Sequence, residues 1–447
     1  MELEWATATE LTRSIRDGAV RARDVLEAQI ERFERWNPSI NAIVAYDWDL
    51  ARSAADAADL ATRRGAAVGP LHGLVMSVKD TIDVAGMSST AGSASLAGRV
   101  AERDAEAVRR LRAAGAIIGA RSNAPAFADD AQTNSDLYGR TNNPWDLSRT
   151  PGGSSGGATA AVAAGLVPLE LGSDTGGSLR IPANFCGVAA HKPTAGLVPG
   201  EGHVPPPPGR PSFPDVSTAI GPIARSVADL RLAMEILVGA VPIRGATGRR
   251  RLAWSPDTVT ASGTEMRHAI EDVAAGAARA GFEVQELAPD AFDLAGAGMV
   301  HARLVDVVET TWFGGGTPDY ATVVELMAAQ QAYAERLDSL LADVDAWMLP
   351  ITPVGAPQHR PKLTPIEVDG EPRDYWEVLI GSCRPFNLTG NPATAIPVAL
   401  GSDGLPLGVQ LVGRRWDDFA LLGTAAELES IVDFRHHPAL PREDAAR

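Results

Sequence analysis

Residues 150–192 read TPGGSSGGATAAVAAGLVPLELGSDTGGSLRIPANFCGVAAHK. Two glycine-framed serine sites stand at its ends, Gly152-Gly153-Ser154-Ser155-Gly156-Gly157 and Asp174-Thr175-Gly176-Gly177-Ser178. Between them lie a small-residue run, Ala158 to Gly165, and an apolar, strand-like run, Leu166 to Leu171. Glycine carries no side chain and tolerates positive φ, so successive backbone N–H groups can converge on one spot. A serine there sits where an oxyanion can be stabilised. The pattern is that of a nucleophile site, and it requires a base from elsewhere in the chain.

Working outward, helix and strand signals alternate. Two amphipathic helices are predicted between Thr9 and Trp36, with Val25, Leu26, Ile30 and Phe33 at helical spacing, and an alanine-rich helix over Leu50–Arg64. Pro70 to Asp80 (PLHGLVMSVKD) is a turn entering a short buried strand that ends at Lys79. The ordinary reading of a lysine in that place is a solvated strand end. A helix over Asp104–Gly115 precedes a strand, Ala116–Ala120; further helices are expected at Arg225–Val238, Gly263–Ala280, Thr322–Asp343 and Ala420–Ile431. Strands are expected at Arg249–Trp254, Phe282–Leu287 and Asp345–Pro350, with turns and strands alternating from Pro385 onward. This alternation predicts an α/β layered fold.

Composition narrows the function. The 447 residues are 45% hydrophobic and 21% charged, as in a globular enzyme, and the net charge of −16 opposes binding to nucleic acid or an anionic membrane surface. Two cysteines, Cys186 and Cys383, cannot build a disulfide framework. With no secretory pattern at the N-terminus and no apolar run of membrane-spanning length, a cytoplasmic location is expected. The eight histidines show no metal-ligand spacing and the glycine clusters no Walker A lysine, so neither a metal nor a cofactor is expected. The G-x-S-x-G elbow is absent at both serines. Gly200 to Pro214 (GEGHVPPPPGRPSFP) holds six prolines with His203 and Arg210, and reads as a linker or an active-site lid.

Taken together, PLHGLVMSVKD, NNPWDLSRTPGGSSGGATAAVAAG, GSDTGGSLRIPANFCGVAAHKPT, PFNLTGNPA and GLPLGVQLVGRRW resemble the amidase signature enzymes over nearly the whole chain. The resemblance implies one amidase domain spanning residues 1–447: an N-terminal helical segment (1–65), a signature core (70–200) and the Pro-rich loop (200–215). Its fold would be a central mixed, twisted β-sheet covered by helices on both faces. It also implies a Ser–cis-Ser–Lys triad, falling here on Ser178, Ser154 and Lys79, with an oxyanion hole from the N–H groups of Thr175, Gly176, Gly177 and Ser178. Lys79 would then be a buried, neutral base, and the Ser154 peptide cis. Asp174 and Arg180 would hold the loop, as would Ser155; Cys186 would be structural.

The family cleaves carboxamides, and some members esters, ureas or carbamates; the implied partner is a small amide or carbamate, with room for a homodimer. Arg210 and Trp145 are candidate substrate contacts, and Trp312, Phe313 and Trp376 candidate pocket walls. One branch of the family is the catalytic subunit of an aminoacyl-tRNA amidotransferase. That branch typically reads S-I-R-Q-P where this chain has Ser178-Leu179-Arg180-Ile181-Pro182, and a Tyr-Gly-containing segment before D-Q-I-G-P where it has Ser217-Thr218-Ala219-Ile220-Gly221-Pro222. Both departures favour a free-standing hydrolase. A binding protein on the same scaffold is the further alternative.

Overall fold

The computed structural model describes residues 3–210, 217–239, 250–288, 290–314, 316 and 318–440. In chain order the strands are β1 (Ile43–Tyr46), β2 (Val75–Lys79), β3 (Ile117–Ser122), β4 (Asn134–Ser135), β5 (Gly139–Arg140), β6 (Leu169–Asp174), β7 (Ala189–Lys192) and β8 (Ala219–Ala224). They continue with β9 (Arg251–Trp254), β10 (Glu283–Glu286), β11 (Ala346–Pro350), β12 (Ile366–Val368), β13 (Glu371–Arg373), β14 (Ala393–Leu400) and β15 (Pro406–Val412). Eleven of them form one sheet in the order β1-β3-β2-β6-β8-β7-β14-β15-β11-β9-β10; β4–β5 and β12–β13 are separate hairpins. The sheet is mixed: β2 runs parallel to β3 and β6, and β9 to β10 and β11, while the other neighbours are antiparallel. Fold class and sequence expectation agree.

Strand alternation splits the core between the two faces of the sheet. Ala189 and Ala224 join one apolar cluster, with Leu11, Leu26, Leu230 and Leu422 from the surrounding helices, whereas their neighbours Ala190 and Ile223 join another with Phe185 and Val378. The small-residue run beside Ser154 forms the helix Gly156–Ala163, and all eight of its residues are buried. Alanine favours the helix, and a helix apolar all round belongs in an interior. Small size is what lets it fit: a Cβ on Gly157 would lie 2.4 Å from the Asn123 backbone nitrogen.

Differences from the sequence reading are local. The strand expected over Leu166–Leu171 is displaced to Leu169–Asp174, which puts Asp174 at the strand end where the serine loop begins. The expected turn at PFNLTG contains a short helix, Arg384–Leu388. A helix over Leu294–Glu309, capped by Asp293 and followed by a π-turn at Thr310–Gly314, fills a segment that the sequence reading left unassigned. Of the Pro-rich loop, Pro211 to Pro214 lie outside the described residues. The part before them is tied to the segment following Lys79: the Val204 N–H donates to the Thr81 carbonyl (2.7 Å) and the Asp83 N–H to the Gly202 carbonyl (2.8 Å).

The close packing of β7 on β8 is testable. A Cβ on Gly221 would lie 2.0 Å from the His191 carbonyl oxygen, a backbone atom that cannot rotate away. Gly221→Ala is expected to cost about 3 kcal/mol or more, read as a lowered urea midpoint at unchanged slope.

Candidate active site

Three segments that are far apart in sequence meet at the carboxyl ends of β2 and β6. Lys79 closes β2 and is fully buried, contrary to the ordinary reading of a lysine at a strand end. Its Nζ donates to Ser154 Oγ (2.7 Å) and to Ser173 Oγ (3.1 Å). Burial pulls its pKa from 10.5 down to about 7, against the opposing pull of Asp174 and Glu170. Ser154 is buried just ahead of the helix Gly156–Ala163, and the Gly153–Ser154 peptide is cis. Only glycine fits at 153, where a Cβ would lie 2.6 Å from the Gln132 carbonyl oxygen.

Ser178 is half-buried on the loop after β6, and its carbonyl accepts the Ser155 N–H at 3.2 Å. Ser155 in turn donates through Oγ to the Ser173 carbonyl (3.1 Å), so it ties the two serine loops together. The loop around Ser178 is shaped by Asp174. Its carboxylate accepts the N–H groups of Gly177 (2.8 Å) and Leu179 (3.1 Å), the Asn387 amide (2.9 Å) and the Arg180 guanidinium (2.9 and 3.0 Å). Burial alone would raise its pKa, but Arg180 and these donors hold it well below the usual carboxylate range. Arg180 is anchored beyond the pair by Gln410 Oε1 (2.8 Å).

Among the four N–H groups expected to face an oxyanion, the one on Gly177 is therefore engaged by Asp174. Those of Thr175, Gly176 and Ser178 have no hydrogen-bond partner among the described residues. Gly177 adopts φ +119° with Cys383 packed against it, a Cβ there lying 2.8 Å from Cys383 Cβ. Both cysteines are free and buried, which pushes their thiols up to about 12 and leaves them poor nucleophiles.

Two further buried groups share its electrostatic surroundings: Glu170 acts on Lys79 itself, and Lys192, like Lys79, feels the charge of Asp174. Glu170, opposite Ser77 in the β2–β6 register, accepts from Ser77 and from Ser122 (2.8 Å), and burial pushes its pKa up to about 8. Lys192, at the end of β7, donates to the Pro193 carbonyl (3.0 Å) and is lowered by burial to about 7. Among the described residues no group of histidine, cysteine or carboxylate side chains is arranged to hold a metal ion, and no helix is long and apolar enough to cross a membrane.

Beside Thr175 opens a cavity of about 370 Å³. Its walls are largely apolar: Phe127 and Ala128, Leu304 and Val308 of the helix Leu294–Glu309, and Trp312 and Phe313 of the π-turn. His203 and Val204 of the Pro-rich loop also line it, as do Asp129 and Glu309. The two residues that the sequence suggested as substrate contacts fall elsewhere. Arg210 is exposed, with its N–H bonded to the Pro207 carbonyl, and does not line this cavity. Trp145 packs on Gly187 and donates its indole N–H to the Cys186 carbonyl (2.9 Å), a structural contact on another part of the chain.

Sequence reasoning did not single out Ser173, Glu170, Asn387 or Arg384. Ser173 could have been found from its place beside Asp174; the others come from strands and a helix that only the fold brings near.

Similarity to known proteins defines the class. The family model described as Amidase matches residues 24–309 and 314–422. An acylamidase of Rhodococcus erythropolis is 31% identical over 96% of each chain. A glutamyl-tRNA(Gln) amidotransferase component of Chloroflexus aggregans is 31% identical over 100% of this chain and 99% of that one. A solved structure described as a crystal structure of amidase superposes with a TM-score of 0.85 at 31% identity, covering 96% of this chain and all of the other. The site belongs to a hydrolase acting on amide bonds. The chain is a member of the amidase family.

Lys79 provides a pH test. The form able to take a proton is the neutral one, so kcat/KM is expected to rise with pH through about 7. Lys79→Met should reduce kcat/KM by about a hundredfold or more. Because the folded value lies below the unfolded one, the unfolded chain binds more protons between them, and stability contributed by this group rises with pH from about 7 toward 10.5. Comparison of urea midpoints at pH 7 and 9 should show that slope in the parent and a smaller one in Lys79→Met.

Proposed function

We propose that the chain hydrolyses a carboxamide C–N bond through an acyl-enzyme on Ser178, with Ser154 and Lys79 as its proton relay. The observation that carries this reading is the 2.7 Å contact between a fully buried lysine and the serine of the neighbouring loop. Lys79 Nζ takes the Ser154 proton while Ser154 Oγ takes that of Ser178, and Ser178 Oγ attacks the carbonyl carbon. The N–H groups of Thr175, Gly176 and Ser178 receive the oxyanion, with Gly177 reserved by Asp174 to shape their loop. Collapse expels the amine, which takes its proton back along the same relay. Water then attacks the acyl ester and restores Ser178. The scheme uses no cofactor.

The apolar cavity beside Thr175 supports a substrate with a bulky hydrophobic acyl or leaving group, aryl or branched alkyl. Esters and carbamates present the same carbonyl to the same nucleophile and fall within its reach. The full-length similarity to an amidotransferase component supports a second reading, in which the chain releases ammonia inside a complex.

A panel of p-nitroanilide, primary amide, ester, carbamate and glutamine substrates separates these. Ser178→Ala is expected to abolish turnover and labelling by a fluorophosphonate. Appreciable hydrolysis by that variant would remove Ser178 from the scheme, and turnover of glutamine alone would favour the transferase reading.

A further inference from the structure

Residues 383 and 384 lie across the loop that faces the reacting carbonyl. Cys383 packs on Gly177, and a Cβ on Gly176 would lie 3.7 Å from Arg384 Cγ. Arg384 opens the short helix Arg384–Leu388 and is largely shielded from water. Its guanidinium nevertheless makes no hydrogen bond and no ion pair among the described residues, and its Nε is completely shielded without an acceptor. Its one aromatic contact among the described residues is the Trp376 ring, 5.7 Å from Cζ to the centroid. A shielded donor group left without an acceptor is costly, so its retention next to an active-site loop calls for an acceptor that arrives from outside.

We propose that Arg384 is a specificity-determining residue that donates to a second carbonyl oxygen of the substrate, beyond the scissile amide. This deepens the amide-hydrolase reading and rests on it. The groups around the guanidinium define the class of acceptor. Asp306 and Glu309, on the helix Leu294–Glu309, and Asp374, preceding the helix Tyr375–Ile380, are the carboxylates that act on it; none is close enough to pair. Among the described residues, the cations acting on Glu309 are Lys362, which is paired with Asp129 (3.0 Å) and also lies against Trp376, and Arg384 itself. Glu309, which lines the cavity, is held above the usual carboxylate range by burial and by the charges of Asp129 and Asp306. Carboxylates therefore outnumber cations there, which disfavours an anionic substrate and leaves a neutral carbonyl as the matching acceptor. The substrate class is an amide with a hydrophobic portion for the cavity and a second amide, urea or carbamate carbonyl for Arg384.

Three matched substrates test this: an amide bearing a second carbonyl, its analogue with CH2 in place of that carbonyl, and its analogue bearing a carboxylate. The parent enzyme is expected to prefer the carbonyl substrate over both analogues in kcat/KM. In Arg384→Met that preference over the CH2 analogue should fall by about tenfold or more, the loss typical of a hydrogen bond to a charged donor. Arg384→Gln, which keeps neutral N–H donors, should retain part of the preference and provides the measurement should the methionine variant fail to fold. An unchanged preference in both variants overturns the proposal, as does a parent preference for the carboxylate. Ser178→Ala run on the same substrates separates the two levels. Turnover by Ser178→Ala overturns the hydrolase reading itself; a dead Ser178→Ala with an unchanged preference in the Arg384 variants overturns only the role of Arg384.

Discussion

The buried pair of Asp174 and Arg180 is the interaction on which the serine loops depend. Asp174 stands at the end of β6 with no water to solvate it, so its charge is tolerated only because Arg180, Asn387 and two backbone N–H groups surround it. Those bonds fold the following four residues into a turn around the carboxylate. The N–H groups that the turn does not consume, on Thr175, Gly176 and Ser178, are left available. Arg180 extends the anchor to Gln410 on β15 and to the Cys383 carbonyl, tying the loop to distant strands and helices. Removing one partner of such a pair strands the other and typically costs about 3–5 kcal/mol. The arrangement therefore fixes the loop as much as it stabilises the fold.

Burial acts on Lys79 in the opposite sense. A lysine sealed by Ser154 and Ser173 at the end of β2 has no carboxylate in contact among the described residues, so its ammonium form is penalised and its proton is loosely held. Asp174 and Glu170 moderate the penalty from a distance. One interior thus keeps a carboxylate charged, because it is paired with Arg180, and brings a lysine toward neutrality, because the groups it bonds among the described residues are hydroxyls. That contrast between two neighbouring groups loosens the proton of a residue that is ordinarily a solvated cation.

The sequence itself made much of this legible. The glycines at 152–157 and 176–177 mark sites of close approach: Gly153 lies against the Gln132 backbone and Gly177 against the Cys383 side chain. Hydrophobic periodicity located most helices and strands, and the alternation of the two foretold the α/β sheet. The segment Leu294–Glu309 escaped because its buried positions, Leu294, Gly296, Ala297 and His301, include small and polar residues that carry little hydrophobic signal. Lys79 read locally as a solvated strand end, since no short-range pattern distinguishes a lysine at the edge of a strand from one sealed beneath two loops.

What the sequence determined by itself is therefore the set of chemically able groups and the backbone freedom around them: serines framed by glycines, a lysine at a strand end, an aspartate and an arginine flanking a loop. These are local properties, fixed by side-chain size and φ/ψ preference. Tertiary structure decided which groups lost water and which met. Only the parallel pairing of β2 with β6 brings Lys79 to Ser173, and only the packing of the Gly156–Ala163 helix brings it to Ser154. Only the crossing of residues 383–384 over Gly176 and Gly177 leaves Arg384 beside the loop with no hydrogen-bond acceptor among the described residues. Proton affinity and unmet hydrogen bonds depend on desolvation, and desolvation is a property of the whole fold that no single stretch of chain contains.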